Sequence, residues 1–242
     1  MVSIAMILLL GFALGMRHAT DPDHVVAVTT IVAKQRGVGK AGLIGALWGL
    51  GHTFTIFAVG AAIILFGVAI PPRLGLSMEF AVACMLILLG VLNLTGTLRR
   101  IQERFLGNSL ALKANEVSPA YSRPGLVEDL GAFNVLRPLI IGIVHGLAGS
   151  AAVALLVMTT IRDPWWAIAY LLLFGLGTVA GMILITALIA MPIVWSHRRF
   201  SSWNQRITVV SGLISLSFGV FLTYQIAIVA GLFSNHPQWT PH

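Results

Sequence analysis

The stretch GMRHATDPDHVVA, residues 15–27, places one arginine, two histidines and two aspartates beside a proline in an otherwise apolar N-terminal segment. An ionised side chain at the centre of a bilayer costs about 2.5–3.5 kcal/mol even on the lowest scales, so such residues are rare in spans and mark functional sites. The fold and the function both depend on whether this segment crosses a membrane.

The composition predicts an integral membrane protein. The 242 residues are 57% hydrophobic and 10% charged, and their mean hydropathy of +0.93 exceeds that of soluble domains. Six apolar runs can each cross a hydrocarbon core of about 30 Å; they cover residues 2–33, 41–70, 76–97, 136–160, 164–195 and 207–233. These runs are continuously apolar and lack the alternation of polar and apolar residues that β-barrel strands show. We therefore predict an all-α polytopic protein with six transmembrane helices, not a β-barrel.

The net charge of +7 reflects membrane topology. Basic residues concentrate in segments 34–40, 99–137 and 198–206, whereas only Arg73 and Arg162 lie in the opposite loops. The positive-inside rule therefore predicts a multi-pass protein of the plasma (inner) membrane with both termini extracytoplasmic. Since topology accounts for the charge, we expect the lipid bilayer, and no nucleic acid, as a partner.

Several classes of protein are disfavoured. The single Cys84 provides neither a disulfide framework nor a thiol pair, and there is no ATP-binding P-loop. We therefore expect a protein that is not an enzyme and that has no cofactor. The first fifteen residues lack the basic start of a signal peptide, so the mature chain is expected to begin at Met1.

The chain divides into two halves that resemble each other. Residues 98–135 are polar and predict a cytoplasmic linker between repeats 1–97 and 136–233, with an extracytoplasmic tail at 234–242. Three short motifs recur in the same order: GMRHA (15–19) with GIVHG (142–146), WGLG (48–51) with FGLG (174–177), and LGVL (89–92) with FGVF (218–221). Since each half has three spans, the second copy would run in the opposite direction, which predicts two inverted three-helix repeats.

The first apolar run is too long for one straight crossing. A continuous helix from Met1 to Ala33 would measure about 48 Å. Pro22 cannot donate a hydrogen bond to the carbonyl of His18, and it disfavours helical geometry at Asp21. We therefore predict a helix break at Asp21 and Pro22, with Asp21 as the N-cap of a second half-helix.

The break would bring metal-binding side chains together. On an unbroken helix His18 and Asp23 would point about 140° apart, whereas an unwound turn lets His18, Asp23 and His24 converge. His52 in the second span lies at a similar depth, and so does His145 in the fourth. Imidazoles with a carboxylate suit nickel, cobalt, copper or zinc better than magnesium or calcium. The predicted metal ligands are His18, Asp23, His24 and His52; His145 and Asp21 are further candidates.

Two motifs resemble the nickel/cobalt permease family. RHATDPDH (17–24) is similar to the family signature RHAxDADH, with its core of His, four residues and Asp-His, although Pro22 replaces the usual alanine. LWGLGHTFTIF (47–57) resembles a second motif that contains a metal-facing histidine, here His52. The larger permeases have about eight spans and acidic later motifs, whereas FGLGTVAGM (174–182) has no carboxylate. HGLAGSAA (145–152) instead resembles the six-span UreH-like branch, which is associated with nickel supply.

The resemblance implies Ni²⁺ or Co²⁺ as the transported substrate and a link to metalloenzyme maturation, but it does not give the direction of transport. We expect an uptake permease, because a divalent ion that moves inward gains about 4.6 kcal/mol per 100 mV of membrane potential. Other interpretations remain open at this stage. The aspartates can stabilise a helix start, and neutral histidines can form hydrogen bonds across helices. The protein can also be a membrane haem or electron-transfer protein with histidine ligands, a six-span exporter of organic or sulfur anions, or an accessory partner without transport activity.

Overall fold

The computed structural model describes residues 4–33, 35, 37–67, 70–96, 135–148, 161, 163–199, 203–234 and 236–239. Most of the predicted linker, residues 98–134, therefore lies outside the described part of the chain, as do residues 149–160 of the predicted fourth span. The described residues contain helices and no strands. The predicted all-α fold class is confirmed to that extent.

Seven α-helices follow one another along the described chain. They are α1 (Ile4–His18), α2 (Pro22–Val32), α3 (Val38–Phe66), α4 (Pro72–Leu94), α5 (Val135–Ala148), α6 (Pro164–Arg199) and α7 (Trp203–Tyr224). A π-helical segment, Gln225–Val229, continues α7.

Within the described part of the chain, four helical segments are long and apolar enough to cross a membrane: Val38–Phe66, Pro72–Leu94, Pro164–Trp195 and Gln205–Val229. Large apolar side chains such as Phe54, Leu176 and Leu188 are exposed on the bundle. An exposed apolar surface of this extent is typical of a protein surrounded by lipid. The remaining helices, α1, α2 and α5, are shorter than a span.

The predicted break in the first apolar run is present. Helix α1 ends at His18, and α2 begins at Pro22 after Asp21 in an extended conformation (φ −61°, ψ 146°). The Asp21 side chain makes no capping hydrogen bond, so only the position of the predicted N-cap is correct. The Asp21 carboxylate instead lies 2.6 Å from Nδ1 of His18. This contact is possible because α1 ends at His18, three residues before Asp21.

Glycines allow the helices to approach closely. The most extensive helix pairs are α3 with α6, α1 with α6, and α4 with α7. A Cβ atom added to Gly51 would collide with the carbonyl oxygen of Leu139, and one added to Gly177 would collide with that of Phe12. At both sites the backbone of one helix therefore rests directly on its neighbour.

These glycine contacts occur in matched pairs. Gly51 contacts Leu139, and Gly177 contacts Phe12. Because Gly177 lies 126 positions after Gly51 and Leu139 lies 127 positions after Phe12, each contact joins the counterparts of the residues in the other. The same relation holds for two further pairs of contacts: Gly49 on Val179 with Gly175 on Thr53, and Gly142 on Trp48 with Gly15 on Phe174. Positions that the predicted repeat would pair thus make reciprocal contacts.

The close approach at Gly51 predicts a selective loss of stability. Gly51→Ala should lower the apparent melting temperature of the detergent-solubilised protein by roughly 2–12 °C, because the added methyl group overpacks the contact with α5. Gly42→Ala on the same helix is the matched control, since a Cβ atom there would meet only Ile183, at 4.0 Å. Equal melting temperatures for the two variants would contradict the packing of α3 on α5.

Candidate metal site

Four helices bring one carboxylate and four imidazoles together. His18 is the last residue of α1, Asp23 and His24 lie in the first turn of α2, His52 lies in the middle of α3, and His145 lies in the last turn of α5. The ring centroid of His24 is 4.7 Å from that of His18, 5.0 Å from that of His52 and 4.2 Å from that of His145. Of the six side chains that the sequence predicted as candidate metal ligands, all except Asp21 therefore form one cluster.

The cluster is buried but incompletely hydrogen-bonded. His24, His52 and His145 are at most 1% exposed. One ring nitrogen of each has no partner among the described residues: Nε2 of His24, Nδ1 of His52 and Nδ1 of His145. Leaving a buried polar atom unpaired costs about 1–3 kcal/mol, and such atoms in native proteins usually have a reason, such as an ion.

Three histidines form a first group that can hold a metal ion. Nε2 of His18 lies 3.0 Å from Nε2 of His52, and one ligand atom each from His18, His24 and His52 lie within 4.8 Å of one another. Metal–nitrogen bonds to imidazole measure about 2.0–2.1 Å for zinc, so nitrogen ligands of one ion stand roughly 3 Å apart. Small side-chain movements would therefore complete this site.

A second group shares His24 with the first. Oδ2 of Asp23 lies 2.8 Å from Nε2 of His145, and Oδ1 of Asp23 lies 3.1 Å from Nδ1 of His24. The ligand atoms of these three residues also lie within 4.8 Å of one another. Asp23 supplies a negative charge that an all-histidine site lacks, and its side chain is 30% exposed, so it reaches the open part of the site.

Residues around the cluster orient its rings. The Asp21 carboxylate holds Nδ1 of His18, which directs Nε2 of that ring toward His52. Asp21 belongs to neither ligand group, so the structure places it beside the cluster. The Trp48 indole stacks on His24 with an interplanar angle of 14° and meets His145 edge-on. The sequence interpretation omitted Trp48, although its spacing of four residues before His52 puts both on one face of α3.

One cavity of about 700 Å³ opens onto this cluster. It is lined by the four histidines, both aspartates and a second set of residues farther along the bundle. The polar members of the second set are Glu79, Gln225 and Gln238, and the apolar members are Val82, Ala148, Phe221, Leu222, Ile226, Val229 and Ala230. A solute in this cavity would first meet the partly exposed side chains of Asp23 and His18.

Comparisons with known proteins identify a relative along nearly the full length. The chain is 38% identical over 232 residues to the urease accessory protein UreH of Bacillus sp. (strain TB-90), and the match covers 96% of each chain. No family model matches the sequence, and no solved structure is detectably similar. The relative is named as an accessory protein and not as an enzyme, in agreement with the sequence-based expectation that the chain is not an enzyme. At this identity and coverage, the chain belongs to the UreH family of urease accessory proteins.

Proposed function

We propose that the protein is a membrane permease for a divalent transition-metal ion, nickel or cobalt, and that His18, Asp23, His24 and His52 bind the ion during transport. His145 is a further ligand, through its contact with Asp23. The observation that carries the proposal is the buried group of four imidazoles and one carboxylate, with three unpartnered ring nitrogens, at the base of a cavity in an apolar helix bundle.

The donor atoms favour a borderline metal ion. Imidazole nitrogens suit nickel, cobalt, copper and zinc, whereas magnesium and calcium prefer sites made entirely of oxygen. Affinity alone would rank copper first, so nickel or cobalt must be selected by geometry and supply. The resemblance of RHATDPDH to the nickel/cobalt permease signature supports those two ions, and the name of the relative supports a link to urease maturation.

The proposed architecture is six spans arranged as two inverted repeats. Helices α1 and α2 together form the first span, and α5 begins the fourth. The reciprocal glycine contacts support this arrangement, because two inverted copies related by a pseudo-two-fold axis must pack through equivalent positions. The basic segments, including the linker 98–135, are then cytoplasmic, and both termini are extracytoplasmic.

Uptake is the favoured direction because the membrane potential can drive it. A divalent cation that moves to the negative interior gains about 4.6 kcal/mol per 100 mV, twice the value for a single charge. Uptake driven in this way needs no nucleotide hydrolysis. In a plasma membrane, the permease would supply the metal to a metalloenzyme-maturation partner in the cytoplasm.

The alternative functions fit the site less well. No lysine or arginine lines the cavity among the described residues, and Arg17, the basic residue nearest the cluster in sequence, is exposed. An anion exporter therefore lacks a cationic binding group there. A haem with two histidine ligands needs its macrocycle between the imidazoles, but His18 and His52 are in direct contact, 3.0 Å apart.

Removing a ligand should abolish most transport. In liposomes reconstituted with the protein, His24→Ala and His52→Ala should each reduce the initial rate of ⁶³Ni²⁺ or ⁵⁷Co²⁺ uptake at least roughly tenfold, because an ion-binding nitrogen is lost. His236→Ala is the matched control, since this histidine is exposed and lies outside the cluster. Equal flux in the wild type and all three variants would reject the proposed site.

Transport should also fall in acid. An imidazole in water titrates near pH 6.5, and a protonated ring has no lone pair to offer a metal ion. With the membrane potential clamped by potassium and valinomycin, the uptake rate should therefore decrease below about pH 6. Uptake at pH 5 that equals uptake at pH 7 would count against ligation by histidine.

An absorption spectrum separates the proposal from the haem alternative. The protein purified from a membrane fraction should show no Soret band, because the closely packed imidazoles leave no space for a macrocycle between them. A Soret band with stoichiometric haem would overturn the assignment of the cluster to a transported ion.

A further inference from the structure

We propose that Glu79, held in place by the indole of Trp239, forms an outer cation-binding station through which a hydrated divalent ion enters the cavity on its way to the histidine cluster. This inference rests on the proposed transport function and adds a second site to it. The station offers only oxygen ligands, whereas the cluster combines four imidazoles with the single carboxylate of Asp23. The station is formed by residues that neither sequence motif includes.

Glu79 is the only acidic residue of helix α4. It lies seven residues after Pro72, which places it about 10 Å along the helix, within the apolar segment Pro72–Leu94. An ionisable residue in such a segment normally faces a bundle interior or a water-filled cavity and serves an ion pathway. Glu79 is half-buried and lines the cavity that contains the histidine cluster.

The surroundings of Glu79 favour a cation that keeps part of its water shell. Gln225 and Gln238 line the same cavity and offer amide oxygens, and no lysine or arginine lines it in the described ranges. Gln225 is the first residue of the π-helical segment, and such segments are frequent at functional sites. With a volume of about 700 Å³, the cavity has room for an ion and its bound water.

Trp239 fixes the orientation of the carboxylate. Its Nε1 donates a hydrogen bond of 2.8 Å to Oε1 of Glu79, which is the only hydrogen bond to this carboxylate within the described structure. Oε2 therefore remains available for a cation or its water. The indole ring lies on Gly75, one turn earlier on α4, where a Cβ atom would collide with it.

The C-terminal segment that carries Trp239 is fastened to the bundle. The backbone N–H of Gln238 donates to the carbonyl of Ala230 at 2.9 Å, and the Arg73 guanidinium donates to the carbonyl of Ser234 at 3.3 Å. These contacts hold residues 230–234 and 236–239 beside the start of α4. Trp239 is thus a positioning residue for Glu79.

The two sites differ in the way they would hold the ion. Oxygen ligands and water at Glu79 attract a hydrated divalent cation by charge, with little discrimination among metals. The histidine cluster then replaces water by nitrogen ligands and selects the metal. Loss of the Glu79 charge should therefore weaken capture of the ion but leave the central site intact.

The test is a kinetic comparison in proteoliposomes. Glu79→Gln should raise the KM for ⁶³Ni²⁺ uptake about fivefold or more, keep Vmax within about twofold of wild type, and reduce the dependence of uptake on ionic strength, as expected for lost electrostatic attraction. Equilibrium binding of Ni²⁺ to the histidine cluster, measured on the same preparation, should be unchanged. Glu79→Asp should restore a low KM, and Trp239→Phe should raise KM to an intermediate value.

A control variant and two contrary outcomes separate failure of the entry station from failure of the transport function. Ser77→Ala, at an exposed position on the same helix, should behave as wild type. A KM for Glu79→Gln equal to that of Ser77→Ala overturns the entry station but leaves the transport function intact. No metal uptake by the wild type, which overturns the proposed function, overturns the station as well.

A chemical variant keeps the test valid if Glu79→Gln does not fold. Glu79→Cys in a Cys84→Ser background can be treated after reconstitution with a thiosulfonate reagent that adds either a negative sulfonate or a positive ammonium group. The sulfonate should lower the KM for Ni²⁺ relative to the ammonium in the same folded protein. Equal KM values after the two treatments would contradict a cation station at this position.

Discussion

The rest of the structure depends on the interruption of one helix at Pro22. A bilayer provides no water for free backbone groups, so a helix normally continues until it has crossed. Pro22 lacks the N–H that the preceding turn requires, and the chain between His18 and Pro22 is therefore extended at Asp21. This interruption turns His18 and His24, which an unbroken helix would separate, into neighbours with centroids 4.7 Å apart.

Glycine packing positions the other ligands around that break. Gly142 and Gly146 lie on the backbone of α3 at Trp48 and His52, so α5 approaches α3 closely enough for His145 to join the cluster. In the proposed repeat, His145 is the counterpart of His18, and Thr178 is the counterpart of His52. Thr178 is buried and donates to the carbonyl of Phe174. In this repeat the two halves share a scaffold, but only the first half contributes a histidine to the cluster from its second span, because Thr178 stands where the first half has His52.

The sequence was sufficient to predict the apolar helices, the break and the convergence of five polar side chains, because these follow from hydropathy, from the chemistry of proline and from motif spacing. It was insufficient to identify which side chains contact each other, whether they are near or far apart in the chain. Asp21 was expected to cap α2, but its carboxylate meets His18 instead. Glu79 and Trp239 are 160 positions apart, and neither lies in a recognisable motif. Only the packing of the C-terminal segment against α4 brings them together.

In the proposed transport function, the two groups of candidate ligands would offer the ion two positions that differ in charge. Nδ1 of His24 faces Asp23, which leaves its unpartnered Nε2 for the group with His18 and His52. An ion beside Asp23 is partly neutralised, whereas an ion among the three neutral imidazoles keeps its full charge in an apolar bundle and is held less firmly. A permease needs binding that is strong enough to capture the ion and weak enough to release it. Because both groups include His24, the two proposed positions adjoin each other within one cluster.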